Sequence, residues 1–410
     1  MKYYKIKKCR CCHSTKFKEI IDFGRMSLST SFTEKNSKNN FVPLKLIYCK
    51  KCYLTQLNHN YESNKIYNKN YGYRSGINKS MNLHLEGIVS DARKIISLTN
   101  KDTVLDIASN DGTLLKKYKS KKIIKIGIDP TIKKFKKFYN SDILTLADYF
   151  TSKKFLKISK NTKAKIITSI AVFYDVSKPD KFIKDIKKIL DKNGVWVLEQ
   201  SYLPSLIKNN AYDSVCHEHL TYFMVHQINI LLKKFNLQIN DIKENSMNGG
   251  SIRIFISHNN SNLIINKKNI EKIINLENKI LKNPLNTFKR FKKNIELSKK
   301  NLFNYIQMLK KMGKTIHIYG ASTKGNIILQ YCKINNNLIE FAADRNKDKI
   351  GKKTAGTNIK IISEKASRSM KPDFYLVMPW HFKDEFIKRE QSFLKKGGKF
   401  IFPLPKVTII

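Results

Sequence analysis

No apolar run in these 410 residues approaches the roughly 18 that a membrane span needs. The opening MKYYKIKKCR carries no apolar core of a secretory leader. The expectation is a cytoplasmic protein with no membrane segment. Acidic residues are scarce, 32 against 79 basic ones, which leaves a net charge of +47. Arginine is scarcer still, at nine of those 79. It is the residue that grips phosphates and base edges with two parallel bonds. Scattered lysines without it read as a compositional bias on solvated faces, so no specific nucleic-acid partner is expected. The chain is too long for one ordinary core, and two or three domains are expected. Nothing in it demands more than a monomer.

Seven cysteines in a chain read as cytoplasmic argue for metal or thiol chemistry rather than disulfides. Cys9-x2-Cys12 and Cys49-x2-Cys52 form two knuckles separated by a Ser/Asn-rich stretch. Four thiolates so paired can close a tetrahedral Zn2+ site, and a closed site is structural because no position is left for a substrate. Cys11 is a spare neighbour, with His13 the lesser candidate for a ligand. A ribbon of this size folds only with its metal, and the same ribbon could serve a zinc-ribbon nucleic-acid-binding protein.

Beyond residue 80 the pattern changes. MNLHLEGIVSDARKIISL has helical spacing, and TVLDIASNDGTLLKKY reads as strand, turn and helix. IIKIGIDP, ILTLADYF, AKIITSI and GVWVLEQSY continue an alternating series, which implies a doubly wound α/β sheet with its ligand at the strands' carboxyl ends. PLNTFKRFKKNIELSKKNLFNYIQMLKK places Phe288, Phe291, Ile295, Leu302, Ile306 and Leu309 near one helical face. A second, smaller series follows: TIHIYGASTKGNIIL, IEFAADRN, FYLVMPW and KFIFPLP.

The turn after the first strand lacks the G-x-G-x-x-G of a dinucleotide fold. It reads Asp106-Ile107-Ala108-Ser109-Asn110-Asp111-Gly112. An acid before the turn and Asp129 at the end of the next strand suit a ligand with an amino-acid end and a ribose. Asp106 and the turn amides would face the former, and Asp129 would accept both ribose hydroxyls. Asp148-Tyr149 after the third strand would meet an adenine. That is a layout for S-adenosylmethionine (SAM). The expected division is a zinc domain over 1–65, a class I SAM methyltransferase domain over 66–260, a connecting helical segment over 261–312 and a C-terminal Rossmann-like domain over 313–410.

Several other segments invite chemistry. In CHEHLTYF, His217 and His219 flank Glu218, with Tyr222 close behind as a substrate contact. The readings are a metal site without an evident third ligand, a buried polar cluster, or a proton-abstracting base. Glu199 and Tyr202 follow the fifth strand, where side chains face the ligand or cap a helix. Gly249-Gly250 either lets backbone approach a ligand or makes a tight turn, and Arg253 is a candidate phosphate contact. Lys324, opening a helix after a strand, suits an anion such as a nucleotide diphosphate. Trp380-His381 is a candidate for stacking on a base.

LDIASNDGTLL, GIDP, EQSYLP, HEHLTYF and NGGSIR, lying between a four-cysteine ribbon and a terminal GASTKGN domain, together resemble the three-part sugar C-methyltransferases of deoxysugar biosynthesis. These are typified by enzymes that methylate the third carbon of dTDP-4-keto sugars. The resemblance spans essentially the whole chain. It implies SAM as cofactor, structural Zn2+ and a nucleotide-sugar substrate. It also implies that His219 removes the proton beside a ketone, that Glu218 orients it, and that Tyr71 or Tyr73 reaches into the substrate site. An O- or N-methyltransferase of the same fold, acting on a sugar or surface-glycan precursor, is the alternative. Two positions depart from the pattern. Ala108 stands where a glycine is expected, which is tolerable if that backbone avoids positive φ. Asp175 stands where some relatives have a histidine facing the substrate.

Overall fold

The computed structural model describes residues 2–30, 32, 41–62, 66–67 and 73–410. Among these, no helix is long and apolar enough to cross a membrane. The central sheet has seven strands. Its order is Leu237–Asn245, Ser251–His258, Leu190–Ser201, Ala164–Ile170, Thr103–Ile107, Ile124–Ile128 and Ile143–Leu146. The five strands from Leu190–Ser201 onward in that order run parallel, and Ser251–His258 returns antiparallel against Leu190–Ser201. Thr103–Ile107 is buried at every position, as a strand covered on both faces must be. One cover is the helix Pro179–Ile189, whose Phe182, Ile183, Ile186 and Ile189 face inward.

A second doubly wound sheet follows, ordered Lys360–Ser363, Phe341–Asp344, Ile316–Tyr319, Phe374–Val377, Lys399–Phe402 and Thr408–Ile409. The helix Pro284–Lys311 supports it. All six apolar residues picked from its periodicity are buried, and Asn283 caps it by accepting from the Asn286 amide. The helix Lys267–Lys282 lies within the stretch 261–312 read as helical, and the short strands Lys360–Ser363 and Thr408–Ile409 were not foreseen.

The N-terminal sheet is not self-contained. Phe17–Ser27, Phe41–Cys49 and Thr55–Leu57 are joined at the edge by Thr221–Tyr222, registered Thr221 to Gln56 and Tyr222 to Thr55. That borrowed strand directly follows the HEHL segment. One apolar core runs from this sheet through the long helix into the C-terminal sheet. The carboxyl ends of the two α/β sheets open onto one cleft of about 610 Å3, lined by Ala108, Asp129, Ala171 and Gln200 on one side and by Gly320, Asp344 and Pro379 on the other. The volume falls within the range of ordinary ligand sites.

Candidate active site

The four cysteines converge. Cys9, Cys12, Cys49 and Cys52 place their sulfurs within 4.8 Å of one another, with Cys9–Cys52 at 3.6 Å and Cys12–Cys49 at 3.5 Å. Sulfurs about 2.3 Å from a tetrahedral zinc sit roughly 3.8 Å apart, so the donor set fits Zn2+. The two knuckles are built alike. His13 and Tyr53, each following a knuckle's second cysteine, take positive φ and donate back to the Cys9 and Cys49 carbonyls. The Cys11 amide points at the Cys9 sulfur and the Lys51 amide at the Cys49 sulfur, arrangements that favour thiolates. Cys11 turns its own thiol to the Gln227 carbonyl, and His13 pairs with Asp180 at 2.7 Å, so neither joins the cluster.

On the cofactor side, Asp106, Ala108, Ser109, Asn110, Asp129 and Tyr149 line the cleft. Ala108 takes φ +60° and donates its amide to the Ile128 carbonyl. The condition under which alanine is easily tolerated here, a backbone without positive φ, is not met: alanine holds a left-handed position at a strain of about 1–2 kcal/mol. Burial pushes the Asp106 carboxyl up to about 7, the Thr168 hydroxyl at 2.7 Å pulling the other way. Asp129 accepts from the Asn110 amide and from both the amide and hydroxyl of Thr131. A carboxylate has about four acceptor positions, so about one remains for a ligand hydroxyl, where two had been expected. The buried acid, the left-handed turn and this remaining acceptor fit SAM. When bound, SAM supplies an electrophilic methyl on a sulfonium.

Three residues of that expected set do not line the cleft. Asp148 is held by Lys154 at 2.6 Å, leaving Tyr149 alone on the wall. Asp111 accepts from the Gly76 amide at 3.0 Å, tying down the chain before the helix Lys79–Ile95. Gly112 backs onto Tyr139, whose ring a Cβ would strike at 2.7 Å.

The substrate side is organised by one backbone oxygen. The Ser214 carbonyl accepts from His219 Nδ1 at 2.8 Å, Tyr222 Oη at 3.2 Å and Cys216 Sγ at 3.6 Å. A carbonyl cannot donate, so His219 carries its proton on Nδ1 and its lone pair on Nε2. The His219 ring packs 4.2 Å from Tyr174, and both residues line the cleft. Burial, then the charge of Lys324, lowers the His219 pKa to about 3, which keeps the ring neutral at neutral pH. Lys324 is fixed by bonds to Ser214 Oγ at 3.0 Å and the Asn248 carbonyl at 3.1 Å. Glu218 accepts from Ser29 at 3.2 Å.

His217 packs edge-on against Tyr61, away from the cleft, so the His-x-His metal pair does not form. Cys216, Glu218 and His219 do bring one ligating atom each within 4.8 Å. A metal there would have to displace the thiol proton that Cys216 directs at Ser214.

Other expected contacts are redirected. Tyr222 braces the Ser214 carbonyl instead of lining the cleft, and Tyr202 donates to Glu277 at 2.9 Å deep in the core. Arg253 also lies off the cleft, between Glu199 at 2.8 Å and Asp91 at 2.5 Å. Glu199 reaches the wall, but His84, Arg253 and Asn245 take its oxygens. Gly249 and Gly250 make room for Trp380 and Ser205, the tight-turn reading, and Trp380 is pinned to Asp213. Tyr73 and His381 line the cleft; Tyr71 lies outside the described residues. Gln200 was missed, although it adjoins Glu199 on the same strand. Its amide is buried in the wall with neither end partnered among the described residues.

Arg253→Met tests this reassignment. Leaving Glu199 and Asp91 buried beside a lost cation should destabilise the fold by about 3–5 kcal/mol. Thermal unfolding would register the loss, and a variant of wild-type stability with a raised substrate KM would instead restore the phosphate role.

Three family models match successive parts of the chain. They are a putative zinc binding domain over residues 9–67, a methyltransferase domain over 81–242 and a C-methyltransferase C-terminal domain over 246–405. The C-methyltransferase NovU of Streptomyces niveus is 25% identical over 409 residues, covering 99% of this chain and 97% of its own. Among solved structures, the plantazolicin methyltransferase BpumL, in complex with a pentazolic desmethylPZN analog and SAH, aligns at 13% identity and a TM-score of 0.34. That alignment covers 43% of this chain and 84% of BpumL. LepI in complex with SAM aligns at 15% identity and 0.34, covering 42% and 46%.

Proposed function

We propose, from the premise that this chain is a SAM-dependent methyltransferase built from the three domains of the C-methyltransferase family, that it methylates carbon next to the ketone of a nucleotide-linked keto-deoxysugar. The observation that carries the reading is the His219 tautomer: Nδ1–H bonded to the Ser214 carbonyl, Nε2 basic, in the same cleft as the SAM turn. Methylating carbon requires a carbanion, and a ketone provides one once a neighbouring proton is removed. His219 takes that proton, with Glu218 beside it as a hydrogen-bonding neighbour. Tyr73 and Lys324 belong to the substrate's surroundings, and Lys324 supplies positive charge for an anionic nucleotide. Burial and, after it, the Lys324 charge depress the His219 pKa; a bound anion would offset the Lys324 share and make the ring a stronger base.

The test is to incubate the protein and methyl-labelled SAM with a panel of dTDP-4-keto-6-deoxysugars and to examine products by NMR. A new methyl bonded to carbon is expected. A methyl bonded to oxygen or nitrogen would establish the alternative chemistry instead.

A further inference from the structure

Enolisation needs a proton acceptor and also something to hold the oxygen on which charge appears. Asp175 ends the short turn Phe173–Asp175 that follows the fourth central strand, on the cleft wall and next to Tyr174, the residue packed on the His219 ring. Its Oδ2 accepts the Tyr67 hydroxyl at 2.5 Å. Its Oδ1 is shut off from solvent with no partner among the described residues, a costly state unless a ligand completes it. Among the described residues, the titratable groups facing it are Tyr67, Glu218 and Cys216. None is a cation, and Glu218 is a like charge. Burial, opposed by the Tyr67 bond and reinforced by Glu218, holds the Asp175 carboxyl well above the usual carboxylate range. Because Tyr67 donates into Oδ2, the retained proton belongs on Oδ1.

We propose that Asp175 is the acid partner of His219, its Oδ1–H donating a hydrogen bond to the substrate's ketone oxygen as the adjacent carbon loses its proton. This rests on the ketosugar reading above. The bonds balance without a further reactant. The C–H bond breaks to His219 Nε2, and its electron pair moves to the oxygen that Asp175 holds. That pair would then form the new carbon–carbon bond to the methyl that bound SAM would supply, the electron pair of the broken sulfur–methyl bond staying on sulfur. Asp175 keeps its proton throughout.

The test compares wild type, Asp175→Ala and Asp175→Asn, using dTDP-4-keto-6-deoxysugars as probes. Asp175→Ala should lower kcat by roughly 10²–10³-fold, the usual effect of losing one oxyanion donor, with SAM affinity unchanged by calorimetry. Asp175→Asn, whose amide can still donate, should recover most of that loss. A raised pKa means the donor is present below that pKa and lost as pH rises through it, so wild-type kcat should fall on the alkaline side of its profile and the Asn variant should lack that limb. Asn as slow as Ala, or both at wild-type rates with matching thermal midpoints, would overturn the proposal. If wild type methylates no sugar, the ketosugar reading fails separately. The infrared carboxylic-acid band lost in Asp175→Asn then decides, since its absence from wild type at neutral pH refutes a protonated Asp175 and its presence there upholds one.

Discussion

His219→Asn is expected to slow methyl transfer by about 10²–10⁴-fold, the contribution of a positioned general base, while SAM binds as before. Asparagine is the informative choice because its amide nitrogen falls near the position of Nδ1 and can still donate to the Ser214 carbonyl. The segment therefore keeps its anchor and loses only the basic Nε2. The SAM turn stands on other elements: Asp106 is fixed by Thr168, and Asp129 by Asn110 and Thr131. Single-turnover rates and calorimetry read the two effects apart. Activity left in the variant would reflect the positioning of substrate against the methyl donor. A wild-type rate would remove His219 as the base.

Stripping the zinc is expected to abolish turnover even though no metal is placed near the reacting carbon. Structural zinc contributes about 10–16 kcal/mol to folding in small zinc peptides, comparable with the whole stability of a typical domain. Here that energy is coupled to His219, the proposed base. The strand Thr221–Tyr222, two residues past His219, is the edge of the zinc domain's sheet. Buried Arg10, between the first two cysteines of the cluster, donates to the carbonyls of Leu57 and Leu220 and so links the first knuckle to the residue after His219. Metal-free protein should lose activity while retaining SAM binding on the central sheet, and Zn2+ should restore activity. Metal content, calorimetry and rate on the same sample check this. Full activity in metal-free protein would dissociate the zinc domain from catalysis.

Much of the fold was legible because it is periodic. The alternating strands of both sheets and the apolar stripe of Pro284–Lys311 follow from residue spacing alone. Cysteine pairs at two-residue spacing likewise declare themselves. Strands with weaker signals, such as Lys360–Ser363, were passed over.

The site was harder to read because side-chain type does not say where a side chain points. Arg253 looked available for phosphate, but two acids from different elements bind it first. Tyr202 and Tyr222 are polar at one end and face inward for that reason, one to Glu277 and one to Ser214. The Ser214 carbonyl that fixes His219 is a backbone atom and leaves no mark in composition. Ala108 could be judged only once its φ was known.

The claim on which the rest turns is that His219 forms the substrate carbanion. It is tested most directly by proton NMR in deuterium oxide, with a dTDP-4-keto-6-deoxysugar and S-adenosylhomocysteine in place of SAM. Wild type should wash deuterium into the carbon beside the ketone while His219→Asn leaves that hydrogen in place. Equal exchange by the two proteins would contradict the account.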